Sequence, residues 1–133
     1  MKKSNFQFTN PFLTRLRFDV NDEFLLHEKP DNDLFEMKHN FNTEIRRSKK
    51  ENKAYVALSL KINESENKAP FFLDISIASN FIWNDNISEE MINSMLKYNA
   101  PALLLGYMRP IVANITNSSV FPVYNLPFMN FRE

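Results

Sequence analysis

Three successive segments alternate apolar and polar residues with a period of two, and this pattern constrains the fold more than any other feature. The alternation runs through residues 35–48, 54–63 and 71–83. A period of two places neighbouring side chains on opposite faces of a β-strand. In the third segment the apolar face carries Phe71, Leu73, Ile75, Ile77, Phe81 and Trp83. Short polar connections join the segments, so they predict three consecutive strands of an antiparallel meander.

An earlier segment completes the predicted sheet. Residues 12–21 also alternate and predict a first or edge strand, with one face formed by Phe12, Leu16, Phe18 and Val20. The basic run at 46–50 falls between the first two meander strands and is interpreted as a solvated hairpin loop. The sequence therefore predicts a four-stranded antiparallel sheet.

The pattern becomes helical after residue 84. Ser88 precedes two glutamates, which is typical of a helix N-cap followed by an acidic first turn. Pro101 is expected to end this short helix and to begin a second one over residues 101–117. Pro110 should bend the second helix. Four strands followed by two helices predict an α+β fold in which helices cover one face of the sheet.

The chain offers little for catalysis. It has no cysteine, one glycine (Gly106) and two histidines, His27 and His39, which lack the spacing of metal ligands. We therefore expect no enzyme, no metal site and no cofactor. Sixteen basic residues balance sixteen acidic ones, which argues against a nucleic-acid partner.

Length and hydropathy predict the organisation of the chain. A chain of 133 residues suits a single domain spanning residues 1–133. No window approaches the ~18 consecutive apolar residues of a membrane span, and the N-terminus lacks the apolar stretch of a signal peptide. The expectation is a cytoplasmic protein without direct membrane insertion.

The last third of the chain is unusually apolar. The segment VFPVYNLPFMNF, residues 120–131, has four aromatic residues, two prolines and no charge. Such a segment is expected to fold back on the helices and to complete the core. The thirteen phenylalanines of the chain are more than a small domain is expected to bury, so some apolar surface should form an oligomer interface or a binding groove.

Two motif blocks lie within NAPALLLGYMRPIVANITNSSVFPVYNLPFMNF, residues 99–131. They resemble the signature of the SecB export-chaperone family, a Cys-Pro-x-Ile-Leu-Phe-Pro-Tyr-x-Arg helix start followed by a Phe-Pro-x-x-Asn-Leu-x-Pro-x-Asn-Phe tail. The matching positions are Pro101, Leu104, Tyr107 and Arg109 in the helix and Phe121, Pro122, Asn125, Leu126, Asn130 and Phe131 in the tail. Ala100, Leu105, Gly106 and Pro110 depart from the pattern, as in the more divergent SecB-like proteins.

The resemblance implies an ATP-independent holdase that binds unfolded or precursor polypeptides in an apolar groove and delivers them to SecA. It also implies a homo-oligomer, a dimer or a tetramer. The groove is expected at the crossover from the third meander strand to the first helix, at the long helix and at the tail. Its candidate residues are Phe81, Trp83, Leu104, Tyr107, Phe121, Tyr124 and Phe128.

Two alternatives stay open. Beside the general holdase, these are a dedicated chaperone of one partner, such as an antitoxin, and a structural module that oligomerises without chaperone activity. Its net charge of zero departs from that of the strongly acidic export members.

Overall fold

The structure is a computed structural model that describes residues 1–26 and 36–132. Within these residues it contains five strands and three α-helices. The strands are β1 (Phe6–Phe8), β2 (Phe12–Val20), β3 (His39–Arg47), β4 (Lys53–Ile62) and β5 (Phe71–Trp83). The helices are α1 (Asp22–Leu26), α2 (Glu89–Ser94) and α3 (Ala100–Asn117), with a π-helical turn (Met95–Asn99) between the last two. The predicted α+β class is confirmed.

All strand pairs of the sheet are antiparallel, and β3, β4 and β5 form the predicted meander. Both β1 and β2 pair with the same edge of β5, one after the other, so the sheet has five strands but is four strands wide. The prediction of four strands missed β1, because three residues are too few to show an alternation.

A β-bulge at Thr14 changes which side chains of β2 face the core. Leu13 pairs with Ile77, but Arg15 pairs with Ser76, so one extra residue lies between them. An extra residue reverses the alternation on one side of the bulge. Phe12 therefore shares a face with Arg15, and the prediction that it shares one with Leu16 is wrong.

The two faces of the sheet differ sharply in burial. The inner face carries the predicted apolar rows and forms the core, with Val56, Leu58, Leu60, Ile62, Leu73 and Ile75 fully buried. The outer face carries small and polar side chains at its centre, where the hydroxyls of Ser59 and Ser76 lie 2.5 Å apart. The predicted arrangement, with helices on one face of an antiparallel sheet, is confirmed.

β2 and β3 lie at opposite edges of the sheet. The third meander strand, β5, is connected to α2 by residues 84–88. The predictions made for His27 and Phe35 fall outside the described residues.

The two helices join without a break. Ser88 caps α2, since its Oγ accepts a hydrogen bond from the Met91 amide at 3.2 Å. The helix then widens into a π-helical turn, in which the Ala100 amide donates to the Met95 carbonyl. The predicted helix end before Pro101 is therefore wrong. Pro101 does occupy the first turn of α3, where a missing N–H group costs little.

Helix α3 lies over the two central strands, β4 and β5. Its buried side chains include Leu104, Leu105, Met108, Val112 and Thr116. No helix within the described residues is long and apolar enough to cross a membrane.

Candidate polypeptide-binding site

The segment of residues 120–132, here called the tail, runs back along α3 on the side of β3. Its Tyr124 hydroxyl lies 2.6 Å from Nε2 of His39 on β3. Farther along, the ring of Phe131 meets Phe41 edge to face, with ring centroids 6.1 Å apart. The guanidinium of Arg132 then lies 4.4 Å from the ring of Tyr98, just before α3. The tail therefore fills the space between α3 and the β3 edge.

Polar side chains of α3 hold the backbone of the tail. The Arg109 guanidinium donates to the carbonyls of Leu126 and Pro127, the latter at 2.9 Å. The buried Thr116 hydroxyl accepts from the Tyr124 amide at 2.9 Å and donates to the Val112 carbonyl at 2.8 Å. The Leu126 side chain is buried in the core.

The motif positions of the tail differ in exposure. Pro122, Asn125 and Asn130 are exposed, whereas Phe131 is half-buried. The Asn130 side chain accepts a hydrogen bond from the Arg132 amide at 3.0 Å and so shapes the turn at the end of the tail. Arg109 and Leu126 therefore make the main attachments of the tail among the motif residues.

His39 and Tyr124 form the polar contact between β3 and the tail. The imidazole ring stacks on the ring of Tyr124, with centroids 5.8 Å apart, and on the ring of Phe41 at 6.4 Å. Burial lowers the pKa of His39 below its usual value of 6.5 and raises the pKa of Tyr124. The folded state therefore favours the neutral imidazole of His39, which is a half-buried residue of β3.

We expect His39 to make the fold less stable in acid. The pKa of His39 is lower in the folded state than in the unfolded chain. Its contribution to the free energy of unfolding is therefore complete above pH 6.5 and is lost as pH falls below that value. The loss is about 1.4 kcal/mol for each pH unit between the two pKa values. Urea unfolding of the wild type and His39→Gln across this range should show a smaller loss in the variant. Equal pH dependence of His39→Gln and the wild type would contradict the prediction.

The opposite side of α3 is apolar and open. We call it the open side and define it by the inner-face residues of β1 and β2 (Phe8, Leu13, Leu16, Phe18) together with Tyr107 of α3. Tyr107 is 45% exposed and Leu16 is 38% exposed. The ring of Phe8 joins the two elements, since it meets Tyr107 edge to face at 6.0 Å. Apolar surface therefore remains exposed beside the helix.

The seven candidate groove residues fall into three groups in the single chain. Phe81, Trp83 and Leu104 are buried in the core. Phe121 and Tyr124 are half-buried, and Phe121 packs near the end of the open side against Phe24 and Phe71. Tyr107 and Phe128 are exposed, Phe128 by 92%.

The basic hairpin has a structural residue that sequence reasoning missed. Arg47 pairs with Glu89 at the start of α2, donates to Asn93 at 3.1 Å and stacks over the Trp83 ring at 5.3 Å. The Glu89 carboxylate raises the pKa of Arg47 through a hydrogen bond. Arg47 faces inward because it continues the odd-numbered alternation of β3, and that alternation was the available signal.

Two carboxylates near the sheet each pair with a basic side chain. Asp74 pairs with Arg15 at 3.0 Å, and Glu66 pairs with Lys38 at 2.7 Å. Among residues 1–26 and 36–132, no three His, Cys, Asp or Glu side chains are placed to hold one metal ion.

Comparison with known proteins identifies the family. The model of the family described as "Preprotein translocase subunit SecB" matches residues 2–133. An uncharacterised protein of Methanocaldococcus jannaschii is 29% identical over 116 residues, which cover 81% of this chain and 72% of that protein.

Solved structures share the fold at low sequence identity. One is the Mycobacterium tuberculosis SecB-like chaperone Rv1957 in complex with a ChAD peptide from the HigA1 antitoxin, with a TM-score of 0.69 at 16% identity over 94% of this chain and 88% of that one. A Streptococcus agalactiae protein of unknown function has a TM-score of 0.50 at 14% identity over 92% of this chain and 97% of that one. The family match confirms the resemblance, and it confirms that the chain is not an enzyme, because SecB-like chaperones are not enzymes. The chain belongs to the SecB family.

Proposed function

We propose that this protein is an ATP-independent holdase that binds non-native polypeptides along the open side of α3. The observation that carries the proposal is the exposed apolar surface between Tyr107 and the inner face of β2, beside a helix whose other side is filled by the tail. Unfolded clients expose apolar segments, and adaptable apolar surfaces bind many such segments without reading their sequence.

The open side has the dimensions of a peptide site. From Phe8 to Phe18 the edge spans ten residues, on the order of 30 Å at about 3.3 Å per residue. An extended client segment of similar length would lie along it. In this proposal Tyr107 and Phe121 contact the client, whereas Phe81, Trp83 and Leu104 support the site from the core.

The remaining parts of the proposal concern assembly and delivery. We propose that the chain acts in the cytoplasm as a homo-oligomer, a dimer or a tetramer, and keeps precursors competent for export through SecA. The family match supports a role in export. The net charge of zero gives the chain no overall attraction for a charged receiver.

A second candidate function is that of a dedicated chaperone for one partner, such as an antitoxin. The observation that favours it is the shared fold with the Mycobacterium tuberculosis chaperone, whose structure holds a peptide from an antitoxin. The two functions predict different client ranges, since a dedicated chaperone would not protect an unrelated unfolded protein.

Light scattering of an aggregating protein diluted from denaturant tests the proposal. We expect the wild-type protein to suppress aggregation at near-stoichiometric amounts without nucleotide. Leu16→Ser should weaken client binding by about tenfold, about 1.4 kcal/mol, because it removes exposed apolar area from the open side.

The matched control is Ile82→Ser, which removes a similarly exposed apolar side chain from the outer face. It should suppress aggregation as the wild type does. No suppression by the wild type would refute the general holdase and favour the dedicated chaperone or a purely structural module. Equal losses in both variants would refute the location of the site.

A further inference from the structure

The charged side chains are divided unevenly between the two ends of the sheet. β1 and β4 both run antiparallel to β5, so both begin at the end where β5 finishes. We call this the basic end, because exposed lysines precede both strands there: Lys2, Lys3, Lys49 and Lys50. The opposite end includes the carboxylates of Asp22, Glu23, Glu36, Glu64 and Glu66. A net charge of zero therefore conceals a separation of charge along the strands.

The four lysines of the basic end have no ionic partner in the described part of the chain. The other cations at this end each have one, in the pairs Arg46–Glu44, Arg47–Glu89 and Lys53–Glu51. Two carboxylates are left there, those of Glu90 and of Asp85, which accepts a hydrogen bond from Asn52 at 2.7 Å. Positive charge is therefore in excess at the basic end, and it is carried by lysine.

The side chains of the basic end suit a lipid surface better than RNA. RNA is recognised largely by arginine and by aromatic rings that stack on its bases. Here both arginines are held by carboxylates and lie over the rings of Tyr55 and Trp83, at 5.1 and 5.3 Å. The exposed apolar side chains beside the lysines are aliphatic, since Ile82 is 42% exposed and Met91 53%. Clustered lysines are the typical ligands of anionic headgroups.

We propose that the basic end binds the anionic headgroups of a membrane surface. β1 and β4 lie on either side of β5, about 10 Å apart, so the two pairs of lysines contact the surface at separate points. Each lysine near such a surface strengthens binding about fivefold, and salt screens the attraction. The contact is peripheral, with no segment inserted. It uses none of the residues that define the open side, so it does not depend on the proposed holdase function.

Co-sedimentation of the full chain with lipid vesicles tests the proposal. Vesicles of three parts phosphatidylcholine to one part phosphatidylserine should bind the wild type at low salt and release it at high salt. Lys49→Gln combined with Lys50→Gln should weaken binding by about 25-fold, because each lysine contributes about fivefold. The matched control is Lys61→Gln combined with Lys68→Gln, which removes the same charge from the opposite end and should leave binding unchanged.

Three results would overturn the proposal. One is a wild type that does not bind at low salt, or that binds pure phosphatidylcholine equally well. Another is an equal loss of binding in both double variants, which would reflect overall charge alone. The third is tighter binding to a single-stranded RNA than to the vesicles, abolished by the changes at Lys49 and Lys50, which would assign the basic end to RNA. Both double variants should melt at the wild-type temperature and suppress aggregation in the scattering assay, so this proposal and the holdase fail separately.

Discussion

Removal of residues 120–133 is expected to leave a chain that does not fold. The tail buries Leu126 and covers the core with Phe121, Tyr124 and Phe131, which pack against it. Full burial of a large apolar side chain such as that of Leu126 contributes about 1.5–3 kcal/mol, and each half-buried ring contributes part of that amount. The sum for four residues is comparable to the whole stability of a typical domain, about 5–15 kcal/mol. Circular dichroism and thermal melting of the truncated protein would show this loss directly.

Point variants show whether the buried side chains of the tail, and not any change in this region, account for the lost stability. Leu126→Ala should destabilise the fold by about 2–5 kcal/mol, because it leaves a cavity at a buried position. Val120→Ser, at an exposed position of the same tail, should have little effect. A truncated protein that stays soluble and melts at the wild-type temperature would show that the core is complete without the tail.

The second large effect is expected at Leu104, and its comparison with Tyr107 distinguishes core from binding surface. Leu104 is fully buried beneath α3, so Leu104→Ala should cost about 2–5 kcal/mol in urea unfolding. Tyr107→Ala should cost about 1 kcal/mol, mainly through the edge-to-face contact with Phe8. In the scattering assay the order should reverse, with Tyr107→Ala the weaker holdase.

The comparison is informative because both positions match the family motif and both were candidates for the groove. Each variant should be assayed below its own melting temperature so that both are folded. If Leu104→Ala lost client binding while retaining wild-type stability, Leu104 would be exposed in the active form, and the location of the site in the single chain would be wrong.

The central strands could be predicted from sequence because long elements with one buried face carry a long alternation. Residues 54–63 and 71–83 show it over most of their length, and both form strands over nearly these bounds. The bulge at Thr14 left no comparable signal, because one inserted residue looks like any other polar position. Its hydroxyl donates to the Ser76 carbonyl at 3.2 Å, a contact that depends on the neighbouring strand.

The candidate site was less predictable than the sheet. The motif match found the helix and the tail, but it did not show which side of α3 the tail covers, because that depends on contacts such as those of His39 and Arg109 with the tail. Leu104 and Tyr107 are three residues apart, so helical spacing predicts that both lie on one side of the helix. They differ in burial because α3 lies over β4 and β5 and leaves β2 uncovered, which only the three-dimensional arrangement shows.

The backbone contacts that hold the tail have a consequence for the affinity of the protein for a client. Apart from Leu126, the tail is held through its carbonyl and amide groups and through a few aromatic contacts, and it follows α3 directly. A segment tethered by a short linker is present at an effective concentration in the millimolar range, so each of its contacts can be weak. A free client lacks this advantage. It must engage more of the surface at once or meet several copies of the chain, so avidity instead of any single contact would set how long a client stays bound.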